Sequence, residues 1–109
     1  MHELGITRNI IAIVEEHAQG IPVCRVSLSI GKLSGVLPEA VRFCFESCVP
    51  GTVLEGAVLE IEEPSGRLEC RDCGKTFEAE QLYHSCPCGS FRHVVVEGDE
   101  LKIKEMELV

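Results

Sequence analysis

The sequence predicts an α+β fold, in which two helices pack on a small sheet of about three strands and a cysteine-rich insertion interrupts the chain. Two segments carry apolar residues at helical spacing, others alternate at strand spacing, and four of the seven cysteines fall within residues 67–92. A length of 109 residues suits one domain, or a small domain with a smaller appendage.

Both helices are indicated by an apolar face. In residues 4–18, apolar side chains recur at steps of three and four, and Pro22 lies just beyond the predicted end. The second helix is expected to start at Pro38, since the first turn of a helix has no use for the amide proton that proline lacks. Its apolar face includes Cys44 and Cys48, which we therefore expect to be buried core thiols.

Alternating apolar and polar residues predict the strands. The pattern covers residues 25–30, residues 57–62 and, around the turn at Gly98-Asp99, residues 94–96 and 101–108. In the last segment the apolar residues change from one face of the strand to the other, which predicts a bulge or a twist near Glu105. Residues 64–66 have the composition of a linker.

Two close cysteine pairs predict a metal site in the insertion. Cys70-Arg-Asp-Cys73-Gly is followed after twelve residues by Cys86-Pro-Cys88-Gly, and each pair precedes a glycine that permits a tight turn. Four thiolates form a closed tetrahedral site with no open position for water, so we expect a structural zinc ion. Without a metal, this segment has too little aliphatic periodicity to build a core of its own.

The second cysteine pair leaves the ligand set open. Only one residue separates Cys86 from Cys88, so this turn is tighter than the first. His84 lies just upstream, and a site of three cysteines plus His84 is the alternative to four cysteines.

Charge and composition exclude several classes of protein. Eighteen acidic residues against ten Lys and Arg give a formal net charge of -8, which opposes binding to nucleic acid. No run approaches the ~18 to 20 apolar residues of a membrane span, and the N-terminus lacks the features of a signal peptide. Seven cysteines, an odd number, argue against a disulfide framework. We therefore expect a cytoplasmic protein that interacts with neither nucleic acid nor a membrane.

The N-terminus offers a second set of metal donors. The amine of Met1, the amide nitrogens of His2 and Glu3 and the His2 imidazole can enclose one ion in a planar four-nitrogen chelate, which suits Ni(II) or Cu(II). Histidine at position 2 is also common in inert termini. The residues alone leave both interpretations open and favour the inert one.

Five motifs are distributed along the whole chain: Met1-His2-Glu3-Leu4, Ile30-Gly31-Lys32-Leu33-Ser34-Gly35-Val36, Phe43-Cys44-Phe45-Glu46, Leu59-Glu60-Ile61, and the two cysteine pairs with Gly89-Ser90. Taken together, they make the chain similar to the HypA/HybF family of hydrogenase nickel-incorporation metallochaperones. One feature departs from the family pattern, because the second cysteine pair is usually CPxC in the family and is CPC here.

The resemblance implies a fold, a function and a set of ligands. It implies a nickel-binding α+β domain formed by residues 1–66 and 94–109, and a zinc-ribbon domain formed by residues 67–93. Nickel would be held by Met1, His2 and Glu3, and zinc by the four paired cysteines. The implied function is delivery of Ni(II) to apo-[NiFe]-hydrogenase without catalysis, in cooperation with the GTPase HypB and the hydrogenase large subunit. Whether the protein forms a homodimer, and whether urease is also served, is left open.

Other interpretations remain beside this one. A zinc-ribbon adaptor with no nickel role is the first alternative, and the net charge opposes its nucleic-acid-binding form. An enzyme such as a zinc hydrolase or thiol oxidoreductase is the second, and the use of four thiolates as ligands opposes it. His93 lies just after the insertion and is a further candidate nickel ligand, although a structural role is favoured.

Overall fold

The computed structural model describes residues 2–109, apart from the side chain of His2. The elements in chain order are α1 (His2–Ala18), β1 (Val23–Ile30), α2 (Pro38–Cys48), β2 (Val58–Glu62), β3 (Gly66–Cys70), β4 (Thr76–Ala79), β5 (His93–Glu97) and β6 (Leu101–Leu108). They form two sheets of three strands each, and the α+β fold class is confirmed.

The first sheet has the order β2-β1-β6 and carries both helices on one face. β1 pairs in parallel with β2, and α2 supplies the crossover that a parallel pair requires. β6 pairs antiparallel with β1 on the other side. The core between helices and sheet consists of aliphatic side chains and one phenylalanine, chiefly Ile10, Ile11, Val14, Val26, Leu28, Ile30, Val41, Phe45, Leu54 and Leu59.

The predicted irregularity in the last strand is present in β6. Ser27 lies opposite Glu105, whereas the next residue, Leu28, lies opposite Ile103. Lys104 is therefore an extra residue on β6, which reverses the inward and outward alternation at this point. The bulge near Glu105 is confirmed.

The second sheet has the order β4-β3-β5, with both pairs antiparallel. The strand predicted at residues 94–96 is confirmed as β5, and it pairs with β3. The predicted division of the chain into domains stays a prediction.

A junction of glycines joins the two sheets. A side-chain carbon on Gly31 would overlap the carbonyl of Gly98, and one on Gly98 would overlap the backbone of Gly66. Leu33, two residues after Gly31, is 5% exposed and packs with Leu68 in the small core of the second sheet. The loop after β1 therefore contributes a side chain to the core of the second sheet.

Among residues 2–109, no helix is both long enough and apolar enough to cross a membrane.

Candidate metal centre

Two tight turns carry the paired cysteines. Cys70 is the last residue of β3 and Cys73 lies in the turn toward β4, where the N–H of Gly74 donates to the carbonyl of Cys70 over 3.0 Å. Cys86 and Cys88 lie in the second turn, which precedes β5, and Gly89 donates to the carbonyl of Cys86 over 2.7 Å. Gly74 and Gly89 have positive φ values of 78° and 95°, as expected for glycines in tight turns.

The two turns bring the four sulfurs together. All four sulfur atoms lie within 4.8 Å of one another. Cys70 Sγ and Cys88 Sγ are 3.7 Å apart, and Cys73 Sγ and Cys86 Sγ are 3.6 Å apart. Two of the thiols, Cys70 and Cys86, are buried, and the other two are exposed.

The sulfur geometry fits a zinc ion. A regular tetrahedron with Zn–S distances of about 2.3 Å has S–S edges of about 3.8 Å. The observed separations are close to that edge and far longer than the ~2.0 Å of a disulfide bond. Each turn also directs an amide toward a sulfur, since Cys73 N–H donates to Cys70 Sγ and Cys88 N–H donates to Cys86 Sγ, each over 3.5 Å. Four soft donors at this spacing are a metal-binding group compatible with zinc.

The thiols of this group ionise unequally. Hydrogen bonding from the Cys73 amide lowers the pKa of Cys70 to about 6, against the effect of burial. For Cys86, the amide of Cys88 acts to lower the pKa, but burial and the three neighbouring thiols outweigh it and raise the pKa to about 12. Of these two thiols, Cys70 therefore loses its proton at the lower pH.

The two histidines near this group take other positions. His84 is exposed, its ring centroid lies 6.3 Å from that of Tyr83, and it is not among the residues that form the sulfur group. His93 lies in β5 opposite Cys70, and its ring stands edge-on to Phe77 with centroids 6.4 Å apart. Neither histidine belongs to a group of three or more metal-ligating side chains among the described residues.

The predicted nickel ligands fall partly outside the described residues. Met1 and the side chain of His2 lie outside them, and α1 begins at His2. Glu3 is 8% exposed, and its Oε2 accepts a hydrogen bond from the Leu37 N–H over 3.1 Å. Its carbonyl accepts a hydrogen bond from Thr7 Oγ1 over 2.7 Å. The first turn of α1 is therefore attached to the residue that precedes α2.

Of the two thiols predicted to be buried, Cys44 is buried and Cys48 is half-buried. Cys44 is 9% exposed on the inner face of α2, and Cys48 packs against the core at its edge. Cys24 is an exposed residue of β1.

Some residues around these sites were not identified from the sequence. The Thr7 hydroxyl and the Leu37 amide hold Glu3 in place, and Asp72, Ser90 and Arg92 form contacts between the two cysteine turns. The spacing of four between Glu3 and Thr7 indicates a contact on one helix face. No sequence pattern indicates the others, because their partners are distant along the chain.

Comparison with known proteins agrees with the geometry. The family model described as hydrogenase/urease nickel incorporation, metallochaperone, hypA matches residues 1–108. Hydrogenase maturation factor HypA from Rippkaea orientalis is 58% identical over 109 residues, covering 99% of this chain and 96% of the relative. The protein of that name from Geobacter metallireducens is 49% identical over 109 residues, covering 99% of each.

Solved structures give the same result. The solution structure of the Ni metallochaperone HypA from Helicobacter pylori is 27% identical with a TM-score of 0.68, covering 98% of this chain and 97% of that chain. A second HypA solution structure is 30% identical with a TM-score of 0.69, covering 100% of this chain and 97% of that one. With a family match over residues 1–108 and relatives about half identical along nearly their whole length, this chain belongs to the HypA family of nickel-incorporation metallochaperones, which act in hydrogenase maturation.

Proposed function

We propose that this protein binds Ni(II) through the backbone nitrogens of residues 1–3 and the His2 imidazole, and delivers the ion to apo-[NiFe]-hydrogenase. The observation that carries the proposal is the family match, which includes the Met1-His2-Glu3 segment at its start. Nickel is the cargo of this carrier, and zinc is its structural ion.

The position of the segment at the start of α1 supports amide coordination. In an α-helix, the first N–H groups donate to no carbonyl of the same helix. Because α1 begins at His2, metal coordination by amide nitrogens in the first turn breaks none of the hydrogen bonds that hold the helix together.

Charge also favours this chelate. The positive end of a helix dipole opposes a cation. Two deprotonated amides, however, cancel the charge of Ni(II), and the Met1 amine and the His2 imidazole coordinate as neutral donors. The resulting complex carries no net charge, so the dipole of α1 does not oppose it.

The Glu3 side chain anchors the first turn of α1 and is not itself a nickel ligand in this proposal. Its buried carboxylate holds the N–H of Leu37, so the side chain is directed toward α2. We infer that Glu3 contributes its backbone nitrogen to nickel, that its side chain anchors the turn, and that His2 is the only side-chain donor.

A chelate at a chain terminus suits transfer. A carrier must hold its ion selectively and must also release it to a client, and donors at the end of a chain can be replaced one by one by the ligands of a partner. We propose a HypB-like GTPase and the hydrogenase large subunit as those partners. A homodimer and the predicted cytoplasmic location stay predictions.

We assign zinc to Cys70, Cys73, Cys86 and Cys88 as a structural ion. All four tetrahedral positions are then taken by thiolates, which leaves no position for an activated water. A non-catalytic role follows for this centre, and the protein acts as a carrier rather than an enzyme.

Metal analysis of the purified protein, before and after nickel loading, tests this function. We expect one zinc per chain before loading, and one zinc and one nickel per chain after it. Loaded protein mixed with apo hydrogenase large subunit should then lose nickel and keep zinc. A protein that holds zinc and takes up no nickel would be a zinc-ribbon adaptor, and the proposal would be wrong.

A further inference from the structure

The two cysteine turns are connected by side chains as well as by sulfur. Asp72 lies inside the first turn, between the two cysteines of the first pair. Its Oδ2 accepts a hydrogen bond from the hydroxyl of Ser90, and its Oδ1 accepts one from Arg92 Nη1 over 2.9 Å. Both partners lie just after the second turn.

Ser90 takes part in three hydrogen bonds, one of which connects the two turns and one of which closes the second turn. Its hydroxyl donates to Asp72 and accepts a hydrogen bond from the backbone N–H of Arg92 over 3.0 Å. Its carbonyl accepts a hydrogen bond from the N–H of Cys86 over 2.8 Å, which closes the second turn. A displacement of Ser90 therefore displaces the backbone beside a buried cysteine.

The strand ladder holds only one side of the centre. β3 and β5 are paired up to Cys70 and His93, and Arg71 N–H donates to the carbonyl of Arg92 over 2.7 Å. This ladder positions the first cysteine turn. The second turn belongs to no strand, and its spacing of one residue between cysteines leaves little freedom to adjust to an ion.

The geometry points to Asp72 and Ser90 as positioning residues of the metal centre, which hold the short second turn against the first at the distance that a tetrahedral ion requires. This inference rests on the zinc assignment proposed above. The hydrogen bond from Ser90 to Asp72 contributes more to this positioning than the ion pair between Arg92 and Asp72. The Arg92 and Asp72 side chains are 73% and 42% exposed, and an ion pair so exposed contributes little.

Loss of the Ser90 hydroxyl should increase the rate of zinc release. Ser90→Ala removes the hydroxyl, so the second turn opens more often and zinc reaches a chelator sooner. We expect zinc release from the full chain to accelerate about fivefold. That is less than the roughly 10- to 100-fold effect of losing a partner bonded directly to a ligand, because the contact is partly exposed. Ser90→Thr keeps the hydroxyl and should release zinc at the wild-type rate.

Substitutions of Asp72 and Ser90 should affect zinc release through the same contact. Asp72→Ala removes the acceptor of the Ser90 hydroxyl, so it should also accelerate release. Because Asp72→Ala and Ser90→Ala remove the same hydrogen bond, the double variant should release zinc about as fast as Ser90→Ala alone. Glu78→Gln is the matched control, since Glu78 is an exposed acid on β4 with no ion pair among the described residues.

The experiment follows zinc release to a coloured chelator for these five variants and the wild type, with the visible d–d bands of the Co(II)-substituted proteins as a record of ligand geometry. We expect altered bands for Ser90→Ala and wild-type bands for Ser90→Thr and Glu78→Gln. Wild-type release and unchanged bands in Ser90→Ala would overturn the inference, as would failure of Ser90→Thr to restore them. Wild-type protein without zinc, or with Co(II) bands not typical of four thiolates, would instead contradict the zinc assignment itself.

Discussion

The carboxylate of Glu3 accepts a hydrogen bond from the backbone N–H of Leu37 over 3.1 Å, across 34 residues of sequence. Leu37 is the N-cap residue of α2 and has no side-chain cap of its own. The contact therefore joins the first turn of α1 to the start of α2. If nickel is held at the chain terminus, this carboxylate determines where the chelate lies on the protein surface.

Loss of this carboxylate should weaken both the fold and nickel binding. Glu3→Ala leaves a partly buried N–H without its acceptor, so we expect the free energy of unfolding to fall by about 1 to 3 kcal/mol. Nickel affinity should fall severalfold, because the chelating segment is less ordered. Glu3→Gln keeps an oxygen acceptor, so its free energy of unfolding and its nickel affinity should decrease less than those of Glu3→Ala. Denaturant unfolding and nickel titration measure the two effects, and wild-type values for Glu3→Ala would show that the contact anchors nothing.

The His2 side chain should be essential for nickel alone. Since it is the only side-chain donor in the proposed chelate, His2→Ala should abolish Ni(II) binding and leave zinc content and fold intact. His17→Ala is the matched control, because His17 is an exposed histidine at the other end of the same helix. Metal analysis and circular dichroism provide the comparison. One bound nickel with a diamagnetic planar spectrum in His2→Ala would place the site elsewhere.

Nickel affinity should depend steeply on pH. Ni(II) must displace protons from the Met1 amine and the His2 imidazole, whose ordinary pKa values are about 7.7 to 8.0 and about 6.5, and from the peptide nitrogens. Protons compete more strongly as the pH falls, so affinity should decrease from about pH 7.5 to about pH 6. Calorimetric titration across this range measures the change. Affinity that is constant over the range would contradict coordination by amide nitrogens.

Substitution of a cysteine and substitution of His84 should have different effects on zinc binding. Cys86→Ala and Cys88→Ala should each release zinc and unfold the second sheet, because structural zinc contributes about 10 to 16 kcal/mol to the folding of small domains. His84→Ala should be nearly silent. Zinc-edge X-ray absorption of the wild-type protein should show a first shell of four sulfurs. Three sulfurs and one imidazole nitrogen would support His84 as a ligand instead.

Much of the first sheet and its helices could be predicted from the sequence. Both helices, β1 and β2 have a regular spacing of apolar residues, and burial on one face imposes that spacing. The bulge at Lys104 was also predictable, because an extra residue reverses the alternation of the strand.

The second sheet could not be predicted in the same way. β3 and β4 have five and four residues, and their sequences carry charged and polar residues on the exposed face with few aliphatic ones on the other. The core they enclose is completed by Leu33, which belongs to a loop remote in the sequence. The pairing of β5 with β3 also depends on tertiary contacts, because an alternating sequence pattern does not specify which strand lies beside it.

At the candidate metal centre, the grouping of the four cysteines could be predicted from the sequence, and the side chains that connect the two turns could not. Cysteine spacing indicates a tetrahedral site directly, because thiolate pairs on tight turns are suited to it. Asp72 and Ser90 are 18 residues apart and act through contacts that only the fold creates. The same holds for Glu3, whose carboxylate finds its partner at the start of another helix.

A single added residue at the N-terminus tests the central claim most directly. Glycine placed before Met1 converts the Met1 amine into an amide and changes no side chain of the protein. Nickel analysis and the visible spectrum should then show one planar, diamagnetic Ni(II) per chain in the protein that begins at Met1. The extended protein should bind no nickel with that spectrum, while both retain one zinc. Equal nickel binding with the same planar spectrum in the two proteins would contradict nickel coordination by the Met1 amine.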